Sequence, residues 1–432
     1  MKKFSLISLG CPKNLTDSEE IAARLAKAGY EISFSQGAEV SVINTCAFLK
    51  SAVKESQKHI EEQIKLKKKG IIKKIVVAGC LVERFGKELL EKYPEIDAVL
   101  GVSSLDKAKD AVKGKSYILK HSNIYSSSRV LLTKNHSAYL KIADGCDNRC
   151  AYCAIPSIRG PLRSKTQEEI ISEAKVLAES GAVEISLIAQ DITAYGKDLY
   201  GKPQLESLLK KLSKIKKIKW FRLMYAYPEG VSENCLKLIR DGSNICHYLE
   251  MPIQHISDSL LKKMNRRSDE KSIRKKIDII RKIVPDMAIR STFIAGFPGE
   301  TEKDFKKLLS FVKETEFSSA AFFEYSREEG TPAFSFKDQI PAAVKKERTN
   351  VLLSAQAAVV DKLNKKLLNK NFEILADGNF EGRAYFQAPD IDGRIETDYK
   401  MEIGRFYKCK IRECFGYVRK AFLVGDKGPK KK

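Results

Sequence analysis

The 432-residue chain has no apolar run near the roughly 20 residues that span a bilayer, so a membrane-spanning helix and a membrane partner are not expected. Cysteine is too sparse for a disulfide scaffold: ten residues at uneven spacing cannot staple a chain this long. A convincing export signal is also missing. Met1-Lys2-Lys3 and the apolar residues 4–9 lead to Cys11, but the stretch is short and runs into Pro12-Lys13-Asn14 instead of a flexible linker. It reads better as a first strand, which places the protein in the cytoplasm with reduced thiols, where clustered cysteines are metal ligands. Histidine is scarce as well. His59, His121, His136, His247 and His255 are scattered, and no nucleophile–base arrangement can be read from them. His255 follows a barrel strand and either faces the site or packs.

What is present is a globular composition, 43% hydrophobic and 31% charged, with a formal net charge of +23. Such a charge suits polyanions, so RNA or a ribosome is a sensible partner, although lysine-rich helix faces are often only solvated. Residues 1–118 alternate strands (4–9, 40–44, 75–78, 98–100) with helices, the first capped by Asp17 or Ser18 and ending at Gly29. This pattern implies a parallel α/β domain. A polar linker occupies residues 120–135. Residues 132–366 carry six further β-α units, with strands expected at 138–143, 184–189, 220–225, 247–251, 288–295 and 320–324, which suggests a partial (β/α)6 barrel of the TIM kind. Residues 367–432 change to short alternating stretches broken by glycines, a small β-barrel, and end in the basic tail Gly428-Pro429-Lys430-Lys431-Lys432, expected to be disordered.

Six cysteines stand at positions that bear chemistry. Cys146, Cys150 and Cys153 form Cys-x3-Cys-x2-Cys directly after the first barrel strand, where barrel enzymes place active-site loops. One loop with three close thiolates can hold a 4Fe–4S cube and leave the fourth iron open to chelate S-adenosylmethionine (SAM). The competing zinc site usually takes four protein ligands at paired spacings. Cys11, Cys46 and Cys80 are far apart, yet each follows a strand of the first domain. In a parallel sheet the carboxyl ends of the strands share one edge, so these three can converge on a second cluster; the plainer alternative is three buried thiols. Cys235, Cys246, Cys409 and Cys414 lack such placement and read as core thiols.

The Cys-x3-Cys-x2-Cys loop of a partial barrel resembles the radical SAM superfamily. Tyr152 sits where that superfamily's loop approaches the SAM adenine, and Gly296-Phe297-Pro298-Gly299-Glu300 resembles its glycine turn, although a strand-to-helix turn with a Thr301/Asp304 capping box reads the same way. Gln190, Arg222 and Arg290, at or near strand ends, are further candidates for SAM contact. In full, the chain resembles the radical SAM methylthiotransferases, through Ser8-Leu9-Gly10-Cys11-Pro12-Lys13-Asn14, Asn44-Thr45-Cys46, Gly145-Cys146-Asp147-Asn148-Arg149-Cys150 and a terminal TRAM domain. That resemblance implies two 4Fe–4S clusters and two uses of SAM, one as methyl donor to a sulfur held at the first cluster and one as source of a 5′-deoxyadenosyl radical. No catalytic residue is assigned beyond the cluster ligands, and an external electron donor is expected.

Two branches must be separated: one modifies tRNA adenosine, the other (RimO) the β-carbon of an aspartate in small-subunit ribosomal protein S12. The opening motif with Asp17-Ser18-Glu19 and the segment 382–393 resemble the second. Charge agrees: residues 369–426 hold ten Lys and Arg against ten Asp and Glu. A domain docking on tRNA backbone should be basic. A neutral one with a local Asp390/Asp392 pair suits a basic protein, unless the pair is a solvated turn.

Overall fold

The computed structural model describes residues 2–33, 38–119 and 129–425. Most of the expected linker, the basic tail and His121 lie outside them. The first sheet is parallel throughout: β1 (Lys2–Ser8), β2 (Tyr30–Ile32), β3 (Val40–Thr45), β4 (Lys74–Gly79) and β5 (Ala98–Leu100) lie in the order β2-β1-β3-β4-β5. Helices α1 (Pro12–Lys27), α2 (Lys50–Lys68), α3 (Cys80–Lys92) and the short α4 (Ala108–Ala111) cover both faces. The central strands are therefore buried on both sides. Ile43, Ile75, Val77 and Val99 pack one way and Val42, Val76, Ala78 and Leu100 the other. The order reverses between β1 and β3, and a crevice for ligands opens outside the carboxyl ends of strands at such a switch point.

The half-exposed edge strand β2 was not anticipated. Helix α1 starts at Pro12, not at a cap on Asp17 or Ser18, because proline is pre-set for a first helical position and extended Cys11 takes the N-cap place.

The second sheet begins with β6 (Ser137–Lys141). A small ribbon of β7 (Ala143–Asp144) and β8 (Arg163–Ser164) flanks helix α5 (Ile155–Arg159). The sheet continues with β9 (Glu184–Ile188), β10 (Trp220–Leu223), β11 (Ile245–Glu250), β12 (Ala288–Ala295) and β13 (Ser319–Glu324), in the order β13-β12-β11-β10-β9-β6 and all parallel. It is an open partial barrel. Outward residues such as Leu140, Leu187, Phe221 and Phe293 pack under the helices. Inward residues Tyr139, Ile188, Trp220, Met224, Cys246 and Tyr248 form a separate cluster that takes in Leu375 and Ala388 of the terminal unit.

That unit is a closed five-stranded barrel of β14 (Asn371–Ala376), β15 (Glu381–Ala384), β16 (Arg394–Thr397), β17 (Phe406–Phe415) and β18 (Val418–Leu423). It packs on the inner face of the larger barrel. The Asp390/Asp392 pair is not an exposed docking element. Asp390 is exposed, but Asp392 is buried, accepting from Tyr248 Oη at 2.7 Å and from Arg290 Nη1 at 2.6 Å. No helix among the described residues is long and apolar enough to cross a membrane.

Candidate active site

Cys11, Cys46 and Cys80 all stand at the carboxyl ends of their strands, at the edge that holds the switch point. Cys11 caps α1, Cys80 opens α3, and Cys46 follows β3, with its backbone N–H on Ser56 Oγ at 3.2 Å. Helix N-termini favour negative charge, so two of the three sulfurs lie where a thiolate is helped by the backbone. Close approach is enforced by glycine. Gly10, at φ +90°, has no room for a Cβ, which would meet Cys46 Sγ at 2.9 Å, and a Cβ on Gly79 would collide with Asn44 Oδ1 at 2.2 Å. Asn14 and Asn44 tie the strand ends together. Asn14 Nδ2 donates to Leu9 O (3.0 Å) and Thr45 O (2.8 Å), and Asn44 Nδ2 donates to Asn14 O at 2.8 Å.

Cys146, Cys150 and Cys153 lie on the loop between β7 and α5. Cys150 Sγ is 3.5 Å from Tyr227 Oη and 3.9 Å from Arg266 Nη1, and the Arg266 guanidinium lies 3.7 Å from the Tyr227 ring centroid. Neither residue stood out in the sequence. Tyr152 packs edge-on to Phe297 of the glycine turn, ring centroids 6.5 Å apart, so the turn backs the cysteine loop. Gly296, at φ +71°, donates its N–H to Glu300 Oε2 at 2.8 Å, and His255 is buried 3.5 Å from the same oxygen.

One buried network joins the two sets of thiols. Arg159, at the end of α5, donates to Asp144 Oδ2 (2.8 Å), Asp17 Oδ2 (2.8 Å) and Asn14 Oδ1 (2.7 Å), and its Nη2 lies 3.6 Å from Cys80 Sγ. Lys141 pairs with Asp17 and lies 3.6 Å from Asp144. Gln190 Nε2 donates to Asp144 Oδ1 at 2.8 Å, while its carbonyl oxygen has no partner. Burial alone would raise the Asp144 carboxyl, but Arg159 and Lys141 hold it well below the carboxylate range.

The donor set fits iron. Burial pushes the Cys80 and Cys153 thiols up to about 12 and Cys146 up to about 11, so each carries a thiolate only against a strong positive charge such as bound metal. Within each set the sulfurs interact electrostatically. Among the described residues no three His, Cys, Asp or Glu side chains converge on one ion.

Of the residues singled out for SAM, Tyr152, Gln190 and Gly296 lie around the cysteine loop. Arg222 and Arg290 do not. Arg222 is fully buried against Glu184 Oε1 (Nη2 at 2.9 Å) and the Tyr385 carbonyl, and Arg290 binds Asp392 and Ser319 Oγ (2.7 Å). Both guanidiniums belong to the contact with the terminal barrel, which occupies the inner face at their height. Cys235, Cys246 and Cys409 are buried core thiols, and Cys414 is half-buried.

Comparison with known proteins agrees along the whole chain. Family models match at residues 3–101 (Uncharacterized protein family UPF0004), 140–312 (Radical SAM superfamily) and 370–418 (TRAM domain). The "Ribosomal protein uS12 methylthiotransferase RimO" of Elusimicrobium minutum is 49% identical over 98% of this chain and 100% of its own length. The protein of the same name from Acetivibrio thermocellus is 44% identical over 98% of each. Among solved structures, the radical S-adenosylmethionine methyltransferase TsrM of Kitasatospora setae superposes with a TM-score of 0.55 at 13% identity, covering 77% of each chain, a likeness of fold.

Proposed function

The chain belongs to the RimO family of ribosomal protein uS12 methylthiotransferases, and on that premise we propose that it attaches a methylthio group to the β-carbon of an aspartate in small-subunit ribosomal protein S12. As a radical SAM enzyme it works with SAM and a 4Fe–4S cluster, which together supply a carbon radical able to take hydrogen from an unactivated C–H bond, a bond that acid–base groups cannot break. Cys146, Cys150 and Cys153 are the proposed ligands of that cluster, with Tyr152, Gln190 and Gly296 as the SAM side of the loop. Cys11, Cys46 and Cys80 are the proposed ligands of a second 4Fe–4S cluster.

The observation that carries this reading is Arg159, which binds the loop of one thiol set through Asp144 and reaches a sulfur of the other. Two three-thiol sets held across one buried joint suit a reaction in which a group kept at one is delivered to a carbon activated at the other. The residues of the joint exclude water and fix the distance. The net charge of +23 suits ribosomal RNA near the substrate, an external electron donor is required, and the cytoplasm is the matching compartment.

The test is anaerobic reconstitution with SAM and reductant, with ribosomal protein S12 and bulk tRNA offered in parallel and mass spectrometry to find one added methylthio group. A gain on an aspartate of S12 is expected. A gain on tRNA adenosine alone transfers the chain to the tRNA branch. Cys150→Ala is expected to abolish 5′-deoxyadenosine release, and normal release would remove that loop from its role.

A further inference from the structure

One buried cation, two residues from Cys11, has no carboxylate within ion-pairing distance among the described residues. Lys13, two residues after Cys11, is 7% exposed, and its ammonium lies 3.5 Å from the Tyr225 ring centroid. Among the described residues it makes no ion pair. A buried lysine is rare unless paired, and the other cations here are paired: Lys141 with Asp17, Arg159 with Asp17 and Asp144, Arg290 with Asp392. The Lys13 charge is felt by Cys153 and by Glu250, at the end of β11. Tyr225, just beyond β10, is in electrostatic reach of Cys11.

Two further observations mark this as a place built for a guest. Two buried polar atoms nearby have no hydrogen-bond partner: Glu250 Oε2, whose carboxyl feels the Lys13 charge, and Arg290 Nε, 3.7 Å from Glu250 Oε1. Tyr225 holds φ at +65°, a left-handed conformation that a bulky residue keeps only when its surroundings impose it.

We propose that the Lys13 ammonium receives the side-chain carboxylate of the substrate aspartate and thereby presents its β-carbon between the two thiol sets. This inference rests on the ribosomal-protein reading above. The β-carbon is one bond from the carboxylate carbon, so holding the carboxylate fixes the carbon that reacts. A carboxylate entering a water-poor site is costly unless it meets a cation, and Lys13 is the unpaired one. Asparagine, of the same shape, brings only a neutral oxygen.

The test is equilibrium binding to the reconstituted enzyme with SAM and no reductant, so that nothing turns over. The probes are S12 and its variant with the modified aspartate changed to asparagine. The unmodified enzyme is expected to prefer the aspartate form by about tenfold or more, the factor of one charge-assisted bond. Lys13→Met is expected to bring that ratio near one, and Lys13→Arg to keep part of it. A structural role for Lys13 would weaken both probes equally and leave the ratio intact, which overturns the proposal. An enzyme that methylthiolates S12 yet shows no preference also overturns it while the functional reading stands. No gain of methylthio on S12 at all removes that reading, and the inference with it.

Discussion

The large barrel is joined to its neighbours by two buried arginine networks, and they differ mainly in where along the strands they sit. At the carboxyl ends, Arg159 and Lys141 meet Asp17 and Asp144. At the amino ends, Arg222 and Arg383 meet Glu184 and Asp377, with Arg383 Nη2 on Glu184 Oε2 at 2.6 Å and Nε on Asp377 Oδ2 at 2.7 Å. Each sets two cations against two carboxylates across a joint between domains. Only the first touches a sulfur of the proposed cluster sites. A buried, satisfied guanidinium is therefore no mark of an active site by itself; its place along the strands decides what its loss would do.

Removing one partner of such a network leaves a buried charge uncompensated, at about 3–5 kcal/mol. Arg159→Met is expected to have the largest effect. It leaves Asp17 and Asp144 to Lys141 and strips the donor from Cys80, so the Cys11, Cys46 and Cys80 set should lose its shape and methylthiolation should be largely lost. Iron per chain should drop toward what one cluster accounts for. Arg383→Met is expected to cost about as much stability, read as a lower denaturant midpoint of the terminal barrel, while SAM cleavage without S12 persists. If Arg383→Met silenced SAM cleavage as fully as Arg159→Met, the contrast between the joints would be broken.

Much of this was legible before the structure. β-α alternation marks the first two units and short glycine-broken strands the third, while Cys11, Cys46 and Cys80 stand next to strand ends that a parallel sheet aligns and Cys146, Cys150 and Cys153 share one short loop. The joints were not legible, for a physical reason. Asp17, Arg159, Glu184 and Arg383 look like surface charges in sequence, and their partners lie 142 and 199 residues away. Asp17 reads as a helix cap, since a short acidic residue before an apolar stripe is a common start signal, yet Pro12 starts α1 five residues earlier. Arg222 and Arg290 are candidates in the sequence only because they lie in barrel strands, and both guanidiniums meet the terminal barrel. Strand alternation reports the face, not which neighbour fills it, and the terminal barrel fills the lower half.

Acid should sharpen the comparison. Burial by itself would raise the Glu184 carboxyl, yet Arg383 and Arg222 hold it down at about 2, against 4.5 for an ordinary glutamate. A depressed carboxyl contributes stability that is present above its unfolded value and lost as pH falls through the folded one. The lower joint should thus lose about 3 kcal/mol between pH 4.5 and pH 2. Chemical denaturation across that range checks it, and in Arg383→Met, whose Glu184 carboxyl moves back toward 4.5, the loss should be smaller and complete at a higher pH.

The smallest expected effect concerns the loop that enters the barrel from below. Asp392 accepts from Tyr248 Oη, Arg290 Nη1 and the Ala388 N–H at 3.0 Å, so its carboxylate ties the terminal barrel to two strands of the larger one. Asp392→Asn keeps the shape and one oxygen but removes the charge that faces Arg290, costing about 1–3 kcal/mol. Arg290 also lies 3.7 Å from Glu250, whose carboxyl feels the Lys13 charge. Freed from Asp392, its guanidinium should turn fully to Glu250 and close off the carboxylate oxygen that now has no partner. S12 binding should then weaken by a few-fold without change in the Asp/Asn preference, because that preference belongs to Lys13. A changed preference would mean that Arg290 shares the substrate carboxylate, and the lower joint would then reach the chemistry after all.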